Sequence, residues 1–160
     1  MRLILQRVQS ASVEVAGENL AAIEQGMLVL VGVEKGDSQE QAIWAANKLA
    51  GMRIFDDGQG RMNLDIMSVN GEILLVSQFT LAGSLEKGRR PSFDGAAPPA
   101  AAEPLVEELA ENLERHGIQV STGRFGAHMA VSLINDGPVT FVLDVPARST
   151  TDSVQHKEIR

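Results

Sequence analysis

Residues 133–141 read Leu-Ile-Asn-Asp-Gly-Pro-Val-Thr-Phe, and this stretch decides how the C-terminal third of the chain is organised. Strand-like apolar runs flank it, 127–134 before and 139–145 after. Proline has no backbone N–H to give to a sheet, so Gly137-Pro138 belongs at a turn, an edge or a bulge. The first interpretation is a hairpin turn, because Asn, Asp, Gly and Pro are strong turn formers. The alternative is a rigid backbone tip that holds carbonyl groups toward a ligand.

The composition favours one globular domain with a mostly aliphatic core. The chain has 160 residues, of which 44% are hydrophobic and 4% aromatic, and it contains no cysteine. Disulfides and cysteine-ligated zinc are therefore excluded. The N-terminal residues lack the apolar core of a signal peptide, and no apolar run approaches the roughly 18 residues needed to span a membrane. We expect a soluble, cytoplasmic protein with no membrane partner.

The net charge of −7 argues against a surface that binds nucleic acid broadly. A local exception is the basic cluster, which we define as Lys87, Arg89 and Arg90. It stands in a loop rich in Gly, Ser and Pro. It is either a solvated loop or a contact for phosphates at the end of a nucleic acid.

Apolar patterning predicts many strands. Those before and between the helices are placed at 3–8, 10–16, 20–24, 27–33, 53–55 and 72–79. A short strand is predicted at 118–121, followed by the two that flank Gly137-Pro138. The continuous apolar run 27–33 is typical of a strand that is buried on both faces.

Two helices are predicted. Ser38 and Gln41 form a capping box ahead of an apolar stripe that ends at Gly51. The second helix is predicted from Pro104 to His116, after a long loop at 82–99. The resulting fold class is α+β, a single domain (1–146) with a largely antiparallel, barrel-like sheet and a flexible tail (147–160).

Neither the histidines nor the acidic turn at 56–60 predicts a metal site. No two of His116, His128 and His156 have metal-ligand spacing, and the turn lacks the alternating oxygen ligands of a calcium loop. We expect no metal and no cofactor.

A more informative segment is Ser77-Gln78-Phe79-Thr80-Leu81, which follows an apolar strand. It brings two hydroxyls, an amide and an aromatic ring to the rim of a sheet. Either Ser77 and Thr80 cap neighbouring backbone, or the segment forms a binding site.

Together with Asn135-Asp136-Gly137-Pro138-Val139-Thr140, this segment resembles the two signature motifs of D-aminoacyl-tRNA deacylases. Further positions that match are Leu5-Gln6-Arg7-Val8, Gly88, Arg90-Pro91-Ser92-Phe93 and Met129. The resemblance covers about residues 1 to 145. Arg89 departs from it, standing where the family favours an uncharged polar residue.

The resemblance implies a homodimeric enzyme that hydrolyses the ester of D-aminoacyl-tRNA and of glycine mischarged on tRNA-Ala. It implies a cis bond between Gly137 and Pro138, and an active site completed by this pair from the partner subunit. A cis peptide bond has a low free-energy cost only when it precedes proline. The carbonyl pair would hold the α-ammonium group, so that an L side chain meets backbone and is excluded, whereas glycine is not. Arg7 would brace the Gly137 carbonyl.

The implied catalytic group is Ser77, Gln78, Phe79 and Thr80, and the implied substrate-binding residues are Gly137, Pro138, Asn135, Arg7, Met129, Lys87 and Arg90. The backbone N–H groups of Phe79 and Thr80 would stabilise the oxyanion. Thr80 is either a covalent nucleophile or a positioning group, and we favour positioning with help from the 2′-hydroxyl of the RNA. Ser77, Gln78, Phe79 and Met129 would line the terminal adenine.

Three other functions compete. One is a noncatalytic module that binds RNA or aminoacyl groups, as in editing domains attached to synthetases. A second is an esterase of small molecules or peptides that uses Thr80. The third is a purely structural dimer, which the two polar motifs at strand ends disfavour.

Overall fold

The computed structural model describes residues 1–147. Its elements are β1 (Arg2–Val15), β2 (Glu18–Ile23), β3 (Gly26–Gly32), α1 (Gln39–Gly51), β4 (Phe55–Asp56), β5 (Met62–Leu64), β6 (Glu72–Ser77), α2 (Pro99–Arg115), β7 (Gln119–Thr122) and β8 (Ala130–Asp144). A 3₁₀ turn, Phe79–Ala82, follows β6. Apart from its first residue, the predicted tail lies outside the described residues. No helix within 1–147 is long and apolar enough to cross a membrane.

The main sheet has six strands and is mixed. Its order is β2-β1-β3-β6-β7, and β8 pairs with β1. β1 runs antiparallel to β2, β3 and β8, whereas β3–β6 and β6–β7 are parallel pairs. The prediction of a largely antiparallel sheet therefore needs this correction. The reason is that α1 and α2 each connect parallel neighbours, which require a long crossover. β2 also packs against β6 and β7, so the sheet curls into the predicted barrel-like form.

β3 is buried on both faces, as the apolar run 27–33 predicted, and so is β6. Alternate residues of the two strands face the helices, namely Met27, Val29, Val31, Ile73 and Leu75. The intervening Leu28, Leu74 and Val76 face the interior of the barrel. These two central strands form a rigid platform, and the first motif stands at its end.

β1 is a single strand, although the sequence predicted two strands that meet near Gln9. The register against β8 shifts between Val8 and Ser10, which places a bulge at Gln9. In a regular strand Leu5 and Val13, eight residues apart, would face the same side. Here Leu5, before the bulge, faces the helices, and Val13, after it, faces the barrel interior. One extra residue thus exchanges the two faces of the strand.

The first helix follows its predicted start, and the second does not. The Ser38 N–H donates to Gln41 Oε1 at 2.9 Å, which completes half of the predicted capping box. α2 begins at Pro99, five residues before the predicted Pro104, which lies inside the helix. Pro98 and Pro99 supply the N-terminal prolines, and Ala102 packs into the core, so this first turn is stabilised by tertiary packing.

The hairpin interpretation of Gly137-Pro138 is wrong. β8 continues through the pair and remains antiparallel to β1 on both sides of it. Thr140 pairs with Gln6 and Asn135 pairs with Val8, so residues 136–139 stand opposite Arg7 alone. We call residues 136–139 the Gly-Pro bulge.

Candidate active site

The first motif lies where β6 ends at the edge of the platform. The Gln78 N–H donates to the Val31 carbonyl at 2.7 Å, and the chain then enters the 3₁₀ turn. The turn's own bonding starts with the Leu81 N–H, which donates to the Gln78 carbonyl at 3.2 Å. The N–H groups of Phe79 and Thr80 come before that bond, so the turn provides no acceptor for them. Both groups are available to a bound oxygen.

Gly32 fixes the position of the 3₁₀ turn, because only glycine lets the end of β3 come this close to Gln78 and Leu81. A Cβ at Gly32 would lie 2.7 Å from the Leu81 Cβ and 3.1 Å from the Gln78 carbonyl oxygen. Such contacts are far inside van der Waals distance. The backbone of the first motif is therefore seated directly on the end of β3.

The side chains of the turn face outward from the platform. The Gln78 amide donates to Thr80 Oγ1, and Thr80 is exposed. Phe79 is 59% exposed, and its ring meets the ring of Phe93 edge to face with centroids 5.0 Å apart. A large exposed aromatic ring held by a second ring is a ready surface for stacking or apolar contact.

A cavity of about 600 Å³ opens beside this turn. Ser77, Gln78, Phe79 and Met129 line it, so the structure brings together four predicted site residues. The rest of its wall is mostly apolar and includes Val31, Val33, Phe93, Val106, Phe125 and His128. The volume is within the range of small-molecule sites. We call this space the β6 cavity.

The basic cluster lies on a neighbouring loop and not in the cavity wall. Backbone bonds in both directions between Ser84 and Ser92, at 2.8 and 2.9 Å, close the loop at its base. Lys87, Arg89 and Arg90 are all exposed beyond that closure. Phe93, three residues after Arg90, lines the cavity, so the loop that carries the cluster leads into the cavity wall.

The Gly-Pro bulge is held by a side chain that spans it. Asn135 Oδ1 accepts the Val139 N–H at 2.7 Å, and Asn135 Nδ2 donates to the Val139 carbonyl at 3.3 Å and to Thr140 Oγ1 at 3.1 Å. The Asn135 amide thus binds the two ends of the bulge together. Gly137 and Pro138 are exposed at its crest, and the bond between them is cis.

Arg7 anchors the bulge from below. The residue is 5% exposed, and its Nε donates to the Asp136 carbonyl at 2.9 Å. The prediction that it braces the Gly137 carbonyl is therefore wrong by one residue. Its Nη1 donates to the Ile54 carbonyl at 2.8 Å and to Asp56 Oδ1 at 3.1 Å. A guanidinium with several donors can hold such diverging acceptors at once.

Within one chain the two motifs are far apart. Arg7, opposite the bulge, pairs with Met27 near the start of β3, whereas Ser77 pairs with Val31 near its end. Four residues of strand separate these positions, roughly 13 Å at 3.3 Å per residue. The structure does not place Gly137, Pro138, Asn135 or Arg7 in the β6 cavity.

The sequence did not predict several residues of the β6 cavity and of the contacts that hold Arg7. Phe125 and His128 line the cavity, and Ile54 and Asp56 hold Arg7. No local pattern marks the last two, since they stand 47 and 49 positions from their partner. Across the described residues, no three His, Asp or Glu side chains are grouped as metal ligands.

A family profile described as D-Tyr-tRNA(Tyr) deacylase matches residues 4–144. The D-aminoacyl-tRNA deacylase of Geobacter sulfurreducens is 53% identical over 151 residues, which is 94% of this chain and 99% of that protein. The protein of the same name from Thermomicrobium roseum is 55% identical over 144 residues, 90% of this chain and 94% of that one.

Two solved structures have the same fold as this chain. The c-Myc DNA unwinding element binding protein superposes with a TM-score of 0.85 at 39% identity, covering 92% of this chain and 100% of that chain. A probable eukaryotic D-amino acid tRNA deacylase superposes with a TM-score of 0.79 at 17% identity, over 90% and 98% of the two chains. The second likeness concerns the fold alone.

Proposed function

Because the chain belongs to the family of D-Tyr-tRNA(Tyr) deacylases, we propose that it hydrolyses the ester of D-aminoacyl-tRNA, releasing D-amino acid and free tRNA. The observation that carries the proposal is the β6 cavity, where Ser77, Gln78, Phe79 and Met129 meet beside free backbone donors. We also propose a cytoplasmic location, because tRNA is charged and used there.

The cavity suits the terminal adenosine of the tRNA. Phe79 and Met129 offer apolar surface to a base, and Ser77 and Gln78 offer polar groups at the rim. A site that takes one nucleotide with its amino acid needs little positive charge elsewhere. This agrees with the net charge of −7.

The ester carbonyl then lies at the 3₁₀ turn. The N–H groups of Phe79 and Thr80 are the donors for the oxyanion that forms when water attacks, a contribution often worth a few kcal/mol. Thr80 acts as a positioning group, since its Oγ1 already accepts from the Gln78 amide. The neighbouring 2′-hydroxyl of the RNA assists the attacking water. No histidine contacts Thr80 Oγ1 among the hydrogen bonds of residues 1–147, so a covalent role for this hydroxyl lacks a base.

Chiral selection is assigned to the crest of the Gly-Pro bulge. The carbonyl oxygens of Gly137 and Pro138 accept the α-ammonium group of the substrate, and backbone occupies the space that an L side chain needs. Asn135 and Arg7 make this wall stiff. Glycine has no side chain to exclude, so the same site hydrolyses glycyl-tRNA that has been mischarged on tRNA-Ala.

A second copy of the chain delivers the bulge to the cavity. Within one chain the bulge and the cavity are apart, yet both are needed for the chemistry. Among residues 1–147, β8 pairs with no strand other than β1, and it exposes apolar side chains on both sides of the bulge. Ile134 is 56% exposed and Val142 is 62% exposed. An apolar edge of this kind is typical of a surface that another subunit covers.

Lys87 and Arg90, with Arg89, contact phosphates near the 3′ end of the tRNA. They are exposed on the loop that leads to Phe93 in the cavity wall, and they do not line the cavity themselves. Cations in this position add affinity without selecting the base or the amino acid.

The decisive experiment incubates the purified protein with one tRNA charged separately with a D-amino acid, its L enantiomer and glycine. We expect hydrolysis of the D and glycyl esters and protection of the L ester. Equal hydrolysis of both enantiomers contradicts the chiral mechanism. If no ester is hydrolysed, the chain is a noncatalytic binding module. Rapid hydrolysis of D-amino-acid esters that lack the 2′-hydroxyl favours the esterase alternative.

A further inference from the structure

Asp56 joins the β4–β5 hairpin to the Gly-Pro bulge through a single buried cation. Asp56 Oδ1 lies 3.1 Å from Arg7 Nη1, and on the other side of the guanidinium Nε lies 2.9 Å from the Asp136 carbonyl. The Arg7 side chain is 6% exposed and that of Asp56 is 48% exposed. A side chain remote from both motifs in sequence is therefore linked to the base of the bulge through Arg7.

The contact is one of those that orient the Arg7 guanidinium. Nη1 is shared between the Asp56 carboxylate and the Ile54 carbonyl, both on the stretch that leads into the hairpin. The other end of the guanidinium also approaches Asp136 Oδ2, at 3.4 Å. Because the guanidinium is planar and its donors have fixed directions, a contact made by Nη1 constrains the direction in which Nε points. Without Asp56, the carboxylate of Asp136 is the remaining anionic partner of this buried cation and competes with the Asp136 carbonyl for it.

Asp56 itself is held in place. β4 pairs with β5 in a short ladder, and the adjoining turn is closed by the Asp57 carboxylate. Asp57 Oδ1 accepts the N–H groups of Gln59 at 2.8 Å and Arg61 at 3.0 Å. These bonds lower the pKa of Asp57, that from Arg61 most, so the turn is closed by an ionised group at neutral pH. The hairpin is thus an independent support for the anchor.

We propose that Asp56 is a positioning residue that acts through Arg7 on the Gly-Pro bulge and so sets the ratio of D to L hydrolysis. The inference rests on the proposed function and adds a residue that touches neither the substrate nor the motifs. When the carboxylate is removed, Arg7 swings toward Asp136 Oδ2 and the bulge loosens. An L side chain is then admitted more often, and the D substrate is held less accurately.

The test compares Asp56→Asn, Asp56→Glu and Asp57→Asn with the unaltered chain. Asp57→Asn is the matched control, since the Asn Oδ1 can still accept the Gln59 and Arg61 N–H groups, so a carboxylate of the same hairpin is removed without opening the turn or touching Arg7. For each protein, kcat and KM are measured with D- and L-aminoacyl-tRNA, together with Tm. We expect Asp56→Asn to lower the D-to-L ratio of kcat roughly fivefold, the effect of one partly exposed ion pair. KM for the tRNA stays unchanged, because the β6 cavity is untouched.

The outcomes separate the two proposals. Asp56→Glu keeps the carboxylate and is expected to preserve most of the ratio, while Asp57→Asn preserves all of it. An unchanged ratio in Asp56→Asn overturns the inference, as does an equal loss in Asp57→Asn or Asp56→Glu. If the unaltered chain hydrolyses no D ester, the proposed function itself fails, and this is visible before any variant is compared.

Discussion

At the scale of single residues, substitutions of Thr80 and Gly137 give the most specific predictions for activity. Thr80 Oγ1 is engaged by the Gln78 amide, and its backbone N–H is free to reach the reacting oxygen. The contribution of this residue should therefore come mostly from the main chain, which substitution of the side chain leaves in place.

Replacing Thr80 by Ala is expected to lower kcat on D-aminoacyl-tRNA by up to about tenfold, the size of one lost hydrogen bond. Removal of a covalent nucleophile costs far more, on the order of 10⁴ to 10⁶ in kcat. Single-turnover kinetics at saturating enzyme distinguish the two. A loss of nearly all turnover with tRNA binding intact contradicts the positioning role.

Gly137→Ala should damage the bulge, since an added Cβ would lie 2.5 Å from both the Val139 N and the Val139 Cγ2. Overpacking of this degree typically costs about 1–3 kcal/mol of stability. We expect lower D activity, weaker exclusion of the L ester and a lower Tm. Gly58→Ala is the matched control, because no atom lies within 4 Å of its added Cβ. Full chiral selection in Gly137→Ala contradicts the assignment of the wall.

At the scale of elements, the loop closed by Ser84 and Ser92 is separable from the cavity that it borders. The closure holds the base of the loop, so the exposed cations beyond it can change without disturbing the sheet. Electrostatic contacts of this kind change the affinity for tRNA and the salt dependence of that affinity, and they do not change the rate of ester cleavage.

The double substitution Lys87→Ala with Arg90→Ala is expected to weaken tRNA binding and to flatten its salt dependence by about one unit of logarithmic slope per lost phosphate contact. Binding is measured over a series of salt concentrations, with kcat recorded separately. Lys48→Ala, an exposed cation on α1, serves as the control. An unchanged slope in the double variant shows that the basic cluster is only a solvated loop.

At the scale of the whole molecule, the proposed function combines a cavity and a bulge that lie apart within one chain, and therefore calls for two chains at one site. Each chain offers a cavity at the end of β6 and a bulge on β8, so a symmetric pair can exchange bulges and form two sites. The apolar edge of β8 provides area for this contact.

Mixing two impaired variants tests the exchange. Ala127→Trp fills the β6 cavity, whose wall includes Ala127, and Gly137→Ala damages the bulge. After dissociation and reassociation of an equal mixture, about a quarter of all sites combine an intact cavity with an intact bulge, for a statistical mixture of symmetric pairs. Activity should recover to about that fraction, and unaltered protein taken through the same steps is the reference. No recovery in a mixture shown to contain mixed dimers contradicts a shared site.

The amino-acid sequence by itself determined what depends on neighbouring residues. The apolar run 27–33 predicted that β3 is buried on both faces, and the Ser38 capping box predicted where α1 begins. The two motifs identified the family, which the match to residues 4–144 confirms. These features follow from periodicity, capping and residue type over a few positions, so a local pattern is enough to predict them.

Only the tertiary structure decided which segments meet. It made Gly137-Pro138 a bulge in a continuous strand and not a hairpin, because β8 pairs with β1 on both sides of the pair. It also gave Arg7 its partners at positions 54, 56 and 136, and it placed the first motif at the end of β6 and the second on β8, outside the wall of the β6 cavity. Strand pairing and a buried ion pair are contacts between distant positions. Local patterns fix which face of a strand is apolar, but the choice of partner comes from packing the whole chain.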